Sequence, residues 1–269
     1  MGDTRSTKRI YRNPPDIAES MIRRVQTGPI PHFNYIPPEG PIPIIFEDET
    51  FVVIDKPSGI LSVPGIAEDK KDCVRSRIQE QFPLATGPMT CHRLDQSTSG
   101  IMILALDAKT HKNLSKQFED RKITKSYLAL VEGHLDSDEG TINTPIRKDI
   151  DVRPLMLVDH LYGKPSVTHY KVISREEFNG QPATRVELEP HTGRTHQLRV
   201  HCAHPKVTTV GDPKEGETSG LNAPIIGDEL YGSDVNDPYK QRLLLHASMI
   251  SIHHPITGKR MTFKAPDPF

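Results

Sequence analysis

A chain of 269 residues with Lys+Arg 34 against Asp+Glu 35 carries a formal charge of -1. That balance excludes a protein that holds nucleic acid by bulk positive charge, but leaves room for a neutral body with one local basic face. The longest unbroken apolar run, Ile101 to Leu106, falls far short of the ~20 residues of a membrane helix. The opening MGDTRSTKRIYRNPPD lacks the apolar stretch of a secretory leader. Three cysteines, Cys73, Cys91 and Cys202, form no CxxC. They argue against a disulfide scaffold or zinc knuckle and for a reducing, cytoplasmic setting.

Residues 1–43 hold eight of the 24 prolines. Proline fixes φ and removes a backbone donor, so this stretch reads as a Pro-rich N-terminal arm, either lying extended on the body or partly disordered. Regular structure begins at Ile44, with short strands at Ile44–Phe46 and Phe51–Ile54 around the turn Glu47-Asp48-Glu49. Val74, Ile78 and Phe82 recur at helical spacing behind Asp72, which predicts an amphipathic helix capped there. Ile101–Leu106 reads as a buried strand, and Asp107 as the cap of a helix whose Leu114 and Phe118 share a face. Further strands are expected at Ser126–Val131, Thr168–Ile173, Thr184–Leu188, Leu243–Ile252 and Met261–Phe263. Many strands among few helices, without βαβ alternation, predict an α+β fold with a mixed, mostly antiparallel sheet. Residues 205–224 are polar and rich in Gly and Pro, and read as a long surface loop.

Two segments could carry chemistry. Thr90–Gly100, TCHRLDQSTSG, gathers His92, Arg93 and Asp95 on a loop between a helix and a strand. Asp95 there can be a nucleophile, a base, or a turn-former bound to backbone N–H groups. His191–His204, HTGRTHQLRVHCAH, opens a stretch that has no acid up to residue 211 and contains Arg194, Arg199 and four histidines. It can receive phosphate, or hold a buried carboxylate ionised, and Thr192 or Thr195 could start a helix whose free N–H groups add to an anion site. A metal centre from His191, His196, His201 and His204 is the weaker reading, because only His201 and His204 share a helical face. A second acid-free stretch, Pro238–Pro266, carries Lys240, Arg242, Lys259, Arg260 and Lys264, and the two together predict a shared cationic face suited to RNA. There is no GxxxxGK[ST], GxGxxG or GxSxG, so nucleotide cofactors and serine-hydrolase chemistry are not expected.

HRLDQSTSG at 92–100 resembles the HRLD-x-x-TSG signature of the RluA family of RNA pseudouridine synthases. KPSGILSVPG at 56–65, KSYLALVEG at 125–133, HTGRTHQLRVH at 191–201, LYG at 230–232, RLLLHASMISIHHPITGK at 242–259 and MTFKAP at 261–266 agree in order and spacing. The first and last of these look most like the branch of ribosomal large subunit pseudouridine synthase A. The resemblance spans residues 44–269 and implies one catalytic domain with an RNA-binding cleft across the sheet. It implies isomerisation of uridine in large-subunit rRNA or the tRNA anticodon stem-loop, with base flipping and with neither cofactor nor metal. Residue by residue, it implies that Asp95 is the catalytic aspartate and that Arg199 is the basic residue paired with it. Tyr127 would pack on the target base and is a candidate base for the C5 proton. Arg93 would enter the RNA where the uridine leaves; His92, Arg194 and His196 would help bind it. The partner is thus RNA, with no protein partner and a monomer expected. Two features lie outside the pattern: the arm, and the extra length between His201 and Asp228, where Gly211-Asp212 and Gly227-Asp228 both occur. An RNA-binding protein without catalysis and a histidine-metal hydrolase are the competing readings.

Overall fold

The structure, a computed structural model, describes residues 34–205, 217–233 and 242–269, together with the backbone of Ile22–Arg23. Thirteen strands and three α-helices are defined among these residues. The strands are β1 (Ile22–Arg23), β2 (Ile44–Glu47), β3 (Phe51–Lys56), β4 (Ser99–Ala105), β5 (Thr124–Glu132), β6 (Glu139–Asn143) and β7 (Ile146–Lys148). They continue with β8 (Met156–Asp159), β9 (Val167–Phe178), β10 (Gln181–Pro190), β11 (Glu217–Thr218), β12 (Leu245–His253) and β13 (Arg260–Lys264). The helices are α1 (Val74–Gln81), α2 (Ala108–Glu119) and α3 (Gln197–Ala203).

One large sheet runs β11-β6-β9-β10-β5-β12-β4-β3-β2, with β13 continuing the edge of β12 beyond β4. Only β4 with β12 and β6 with β11 are parallel pairs, so the sheet is mixed and mostly antiparallel, as the strand-rich sequence predicts. A small second sheet, β1-β8-β7, stands apart. Its strands are too short and too interrupted by charge and proline to announce themselves in sequence.

Alternation along β3 and β4 explains the layering. Val52, Ile54, Met102 and Leu104 face α1 through Val74 and Ile78, whereas Phe51, Val53, Ile101 and Ile103 face α2 through Leu114. Both strands are buried on both faces because a helix covers each. Helix α3 joins the two sheets: Leu198 and Cys202 enter the core under β5 and β10, while Val200 and Ala203 pack on β7 and β8. Where β4 meets β12, Gly100 has φ 108° and lies so close to Ala247 that a Cβ would sit 2.3 Å from its carbonyl oxygen. That contact brings the start of β4 against β12, whose Ala247 pairs with Tyr127.

Three expectations need correction. Helix α1 is capped by Cys73: the Ser76 N–H donates to its Sγ, and the Cys73 N–H donates to Ser76 Oγ. Asp72 instead holds the Arg77 guanidinium by two bonds of 2.7 Å, because a forked cation five residues on competes for the carboxylate. Helix α3 starts after His196, not at Thr192 or Thr195. The Thr192 hydroxyl is spent on Gln197 Oε1, which also accepts the Arg194 N–H. The start expected at those threonines is thus displaced to Gln197, whose N–H donates to the Arg194 carbonyl. The loop expected at 205–224 is not a surface loop throughout. Residues 206–216 lie outside the described residues, but β11 pairs with β6, and Leu221 and Ala223 are buried in the core. Backbone bonds from Leu221, Asn222 and Ala223 to carbonyls of His201, His204 and Cys202 strap this segment to α3.

Most of the arm, including Arg5, Lys8, Arg9 and Arg12, also lies outside the described residues. Residues 34–43 lie along the body: Tyr35 donates to the Asp72 carbonyl, Arg77 donates to the carbonyls of Pro38 and Gly40, and Ile42 is buried beside β3.

Candidate active site

A cleft of about 620 Å³ opens between the 92–98 loop, the start of β5 and the 190–199 segment. His92, Arg93, Asp95, Tyr127, Arg194, His196 and Arg199 all line it, so every site residue expected from the sequence converges here. The volume suits one planar base and its sugar.

The loop carrying Asp95 is fastened to an unusual degree. Every carbonyl from Leu94 to Thr98 accepts a hydrogen bond, from Ser62 Oγ, the Thr98 N–H, the Gly59 N–H with Lys56 Nζ, Ser58 Oγ, and Lys56 Nζ again. Lys56 is fully buried and donates to three carbonyls, those of Pro57, Gln96 and Thr98. Three acceptors match the three N–H bonds of an ammonium. Burial pushes its pKa down to about 7, and the charge of Asp95 works in the other direction. The KPSG block is thus the frame of the Asp95 loop, a role that its lone lysine does not declare in sequence.

The backbone of Asp95 is held and its carboxylate is free. No hydrogen bond or ion pair engages that carboxylate among the described residues, although its charge is felt by Lys56, Tyr127, His196, Arg199 and Tyr231. Tyr127 rises from β5 beside Leu188 and Ala247. Burial first, and Asp95 second, hold its phenol protonated far above the ordinary tyrosine value.

Arg199 differs from expectation. Its guanidinium makes a bidentate pair with Asp228, at 2.9 and 2.5 Å, and a further contact of 3.1 Å with Glu229. Asp95 is not its ion-pair partner. The connection is indirect, because Ser97 Oγ donates to Glu229 Oε1 at 2.7 Å and ties the Asp95 loop to the Arg199 pair. Burial opposes the charge on Arg199, but Asp228, then Glu229 and Asp95, keep it ionised. Asp228 is pulled below the usual carboxylate range by Arg199 and the N–H groups of Leu230 and Tyr231, against its own burial. Of the two Gly-Asp pairs between His201 and Asp228, Gly227-Asp228 supplies this partner; Gly211-Asp212 lies outside the described residues.

The remaining residues separate by environment. Arg93 is exposed at the cleft mouth, with no hydrogen bond or ion pair among the described residues. Arg194 is half-buried, with its Nε donating to the Pro165 carbonyl. His92 is not a cation for phosphate: its Nε2 accepts the Ile103 N–H, its ring stacks on Phe118, and burial with Lys125 nearby pushes its pKa down to about 3. His191 packs edge-on against His169, His196 meets Tyr231, and His201 sits between Thr168 and the Thr144 carbonyl. Among the described residues no three His, Cys, Asp or Glu side chains gather as metal ligands would.

The shared cationic face forms only in part. The Pro238–Pro266 stretch gives the cleft Leu245; its Arg242 turns to Ser99 and Phe269, and Arg260 to Ser251 and Thr124. Arg121 and Lys125 line the cleft instead, beside Arg93 and Arg194. Neither stands out in sequence, because they belong to a turn and a strand end that only the sheet brings to this face.

Comparison with known proteins agrees with this geometry. Residues 50–204 match the family model described as RNA pseudouridylate synthase. The chain belongs to that family, isomerases that act on RNA. Its relatives include the dual-specificity RNA pseudouridine synthase RluA of Escherichia coli K12, 41% identical over 88% of this chain and 98% of that protein. The Haemophilus influenzae protein of the same name is 39% identical with the same coverage. Among solved structures, human RNA pseudouridylate synthase domain containing 1 superposes with a TM-score of 0.68 at 30% identity, covering 87% of each chain.

Proposed function

We propose that Asp95 is the catalytic carboxylate of this RNA pseudouridine synthase. The observation that carries the proposal is the contrast between a fully bonded loop backbone and an unengaged carboxylate on the cleft wall. Isomerising uridine requires breaking N1–C1′, turning the base and forming C5–C1′. An ionised carboxylate can attack the substrate or assist deprotonation of the sugar. Arg199, already paired with Asp228, lines the same cleft without capping Asp95.

The base must leave its stack to reach Asp95. Arg93, exposed and unpaired two residues before Asp95, suits insertion into the gap it leaves. Tyr127 offers a planar, neutral ring to the flipped base. Its protonated phenol favours packing over service as the resident base for the C5 proton. Arg194, Arg121 and Lys125 suit the flanking phosphates.

Large-subunit rRNA and the tRNA anticodon stem-loop are the substrates we assign, in keeping with the dual specificity named in the relatives. We assign action as a monomer in the cytoplasm; among the described residues no helix is long and apolar enough to cross a membrane. Pseudouridine mapping by carbodiimide adducts and primer extension, on both RNAs with wild type and Asp95→Asn, tests the proposal. A stop that appears with wild type alone supports it; stops with both proteins overturn the role of Asp95, and no stop with either overturns the substrate assignment.

A further inference from the structure

Next to Asp95, His196 is held in a conformation with no evident structural benefit. It adopts φ 52° and ψ 19°, the left-handed region, at the residue before α3, and its side chain does not cap that helix. Left-handed backbone costs a non-glycine residue of order 1 kcal/mol or more, and such strain collects at functional sites. Here it turns the ring into the cleft, edge-on to Tyr231.

The hydrogen bonds of Tyr231 fix what that ring presents. Its oxygen accepts the Met156 N–H at 2.8 Å and lies 2.8 Å from His196 Nδ1. The tyrosine hydrogen has no other acceptor among the described residues, which favours the phenol as donor to Nδ1. A neutral imidazole that accepts at Nδ1 carries its proton on Nε2. Nε2 itself has no partner among the described residues. Tyr231 cannot easily turn away: Asp228 Oδ1 accepts its N–H and that of Leu230, and its ring lies under the Arg199 guanidinium, 5.4 Å from the centroid. The charged groups facing His196 are Asp95 from the catalytic loop, Arg199 from α3, and Asp228 and Glu229 from the following segment. Burial outweighs their combined effect and keeps the ring below the ordinary histidine value, hence neutral near pH 7.

We infer that His196 presents a fixed Nε2–H donor to an acceptor oxygen of the flipped target nucleotide, and that Tyr231, backed by β8, is the positioning residue that sets this tautomer. The inference rests on the assignment of Asp95 and deepens it. One wall of the cleft offers a carboxylate, and its neighbour a neutral N–H that cannot be exchanged for an acceptor. A uracil carbonyl or a ribose oxygen satisfies that donor, and a bare carbon edge does not.

The test combines a spectrum with kinetics. Long-range proton–nitrogen correlation on the free wild-type protein is expected to show His196 as the Nε2–H tautomer from pH 7 to 8. In Tyr231→Phe the two tautomers should mix. Single-turnover pseudouridine formation should then fall about tenfold, the scale of one hydrogen bond in a rate, with RNA affinity within about twofold. His196→Gln, which keeps an amide donor, should retain more activity than His196→Ala, and serves if Tyr231→Phe does not fold. An Nδ1–H tautomer in wild type overturns the inference, as does an undiminished rate in folded Tyr231→Phe or equal rates in the Gln and Ala variants. A wild type that makes no pseudouridine overturns the substrate assignment along with this inference, whereas an active wild type with any of those three results overturns this inference alone.

Discussion

Asp95 and Asp228 both act on Arg199, and they differ in almost everything else. Asp228 is fully buried and spends both oxygens on the guanidinium, with Oδ1 also accepting two backbone N–H groups. Asp95 has a backbone secured from both sides and a carboxylate that no described residue binds. One acid holds the wall of the cleft together; the other, on the proposal above, is kept available to substrate. Arg199 can do both jobs because its formal partner neutralises it locally, while its field still reaches the second carboxylate. Sequence proximity to a cation is thus a poor guide to which acid works and which acid supports.

The contrast can be broken at either acid. Asp95→Asn should remove all detectable product while shifting stability by no more than about 0.5 kcal/mol, since no structural bond is lost. Activity assays and thermal melts on the same preparation check this. Asp228→Ala should do the reverse in kind: it leaves Arg199 buried without its main partner, and the fold should lose about 3–5 kcal/mol. Denaturant unfolding of the variant reads that loss directly, and a loss below about 1 kcal/mol would show that Glu229 alone suffices.

Lys56→Met sharpens the contrast by attacking the frame of Asp95. It orphans the carbonyls of Pro57 and Thr98 and leaves that of Gln96 with the Gly59 N–H alone, so a cost of about 1–3 kcal/mol is expected, with a larger proportional fall in activity as the loop loosens. The sign of the pH effect at Lys56 is instructive. Its folded pKa, about 7, lies below the ordinary lysine value, so the unfolded chain binds the proton more tightly. This group therefore favours the fold more as pH rises above about 7.

A separate, pH-dependent effect comes from the buried neutral histidines. His92, His201 and His246 have values pushed down by burial to about 3, 4 and 4. Unfolded histidines take up protons near pH 6.5, the folded ones much lower, so their share of stability is complete above that pH and is lost as pH falls toward 4. Melting temperature should be flat in this respect above pH 7 and decline from about 6.5 downward. A flat profile to pH 4.5 would show that these rings are hydrated and free to titrate.

How much of this was legible in sequence depends on how local each feature is. The strands β3, β4, β5 and β12 declare themselves through apolar runs, and Asp107 caps α2 by accepting from two backbone N–H groups, as its position before the helix predicts. TCHRLDQSTSG and HTGRTHQLRVHCAH concentrate chemistry in a few positions, but the roles of Asp95, Arg199 and, in KSYLALVEG, Tyr127 could be named only through the resemblance to the RluA family. What could not be read depends on contacts between distant segments. Lys56 reaches a loop forty residues away. Arg199 finds Asp228 instead of Asp95 because α3 delivers it to the wall formed by residues 228–231. Arg121 and Lys125 join the cleft only through the sheet. The small sheet and the buried Leu221 and Ala223 were hidden by polar neighbours, since short segments carry too little periodicity to be seen.

The central claim is that the free carboxylate, and not the paired one, performs the chemistry. Single-turnover pseudouridine formation by Asp95→Asn, with saturating protein on the mapped RNA, tests it most directly. The account predicts no product from a protein that melts and binds RNA like wild type. Product formed at the wild-type rate would contradict it.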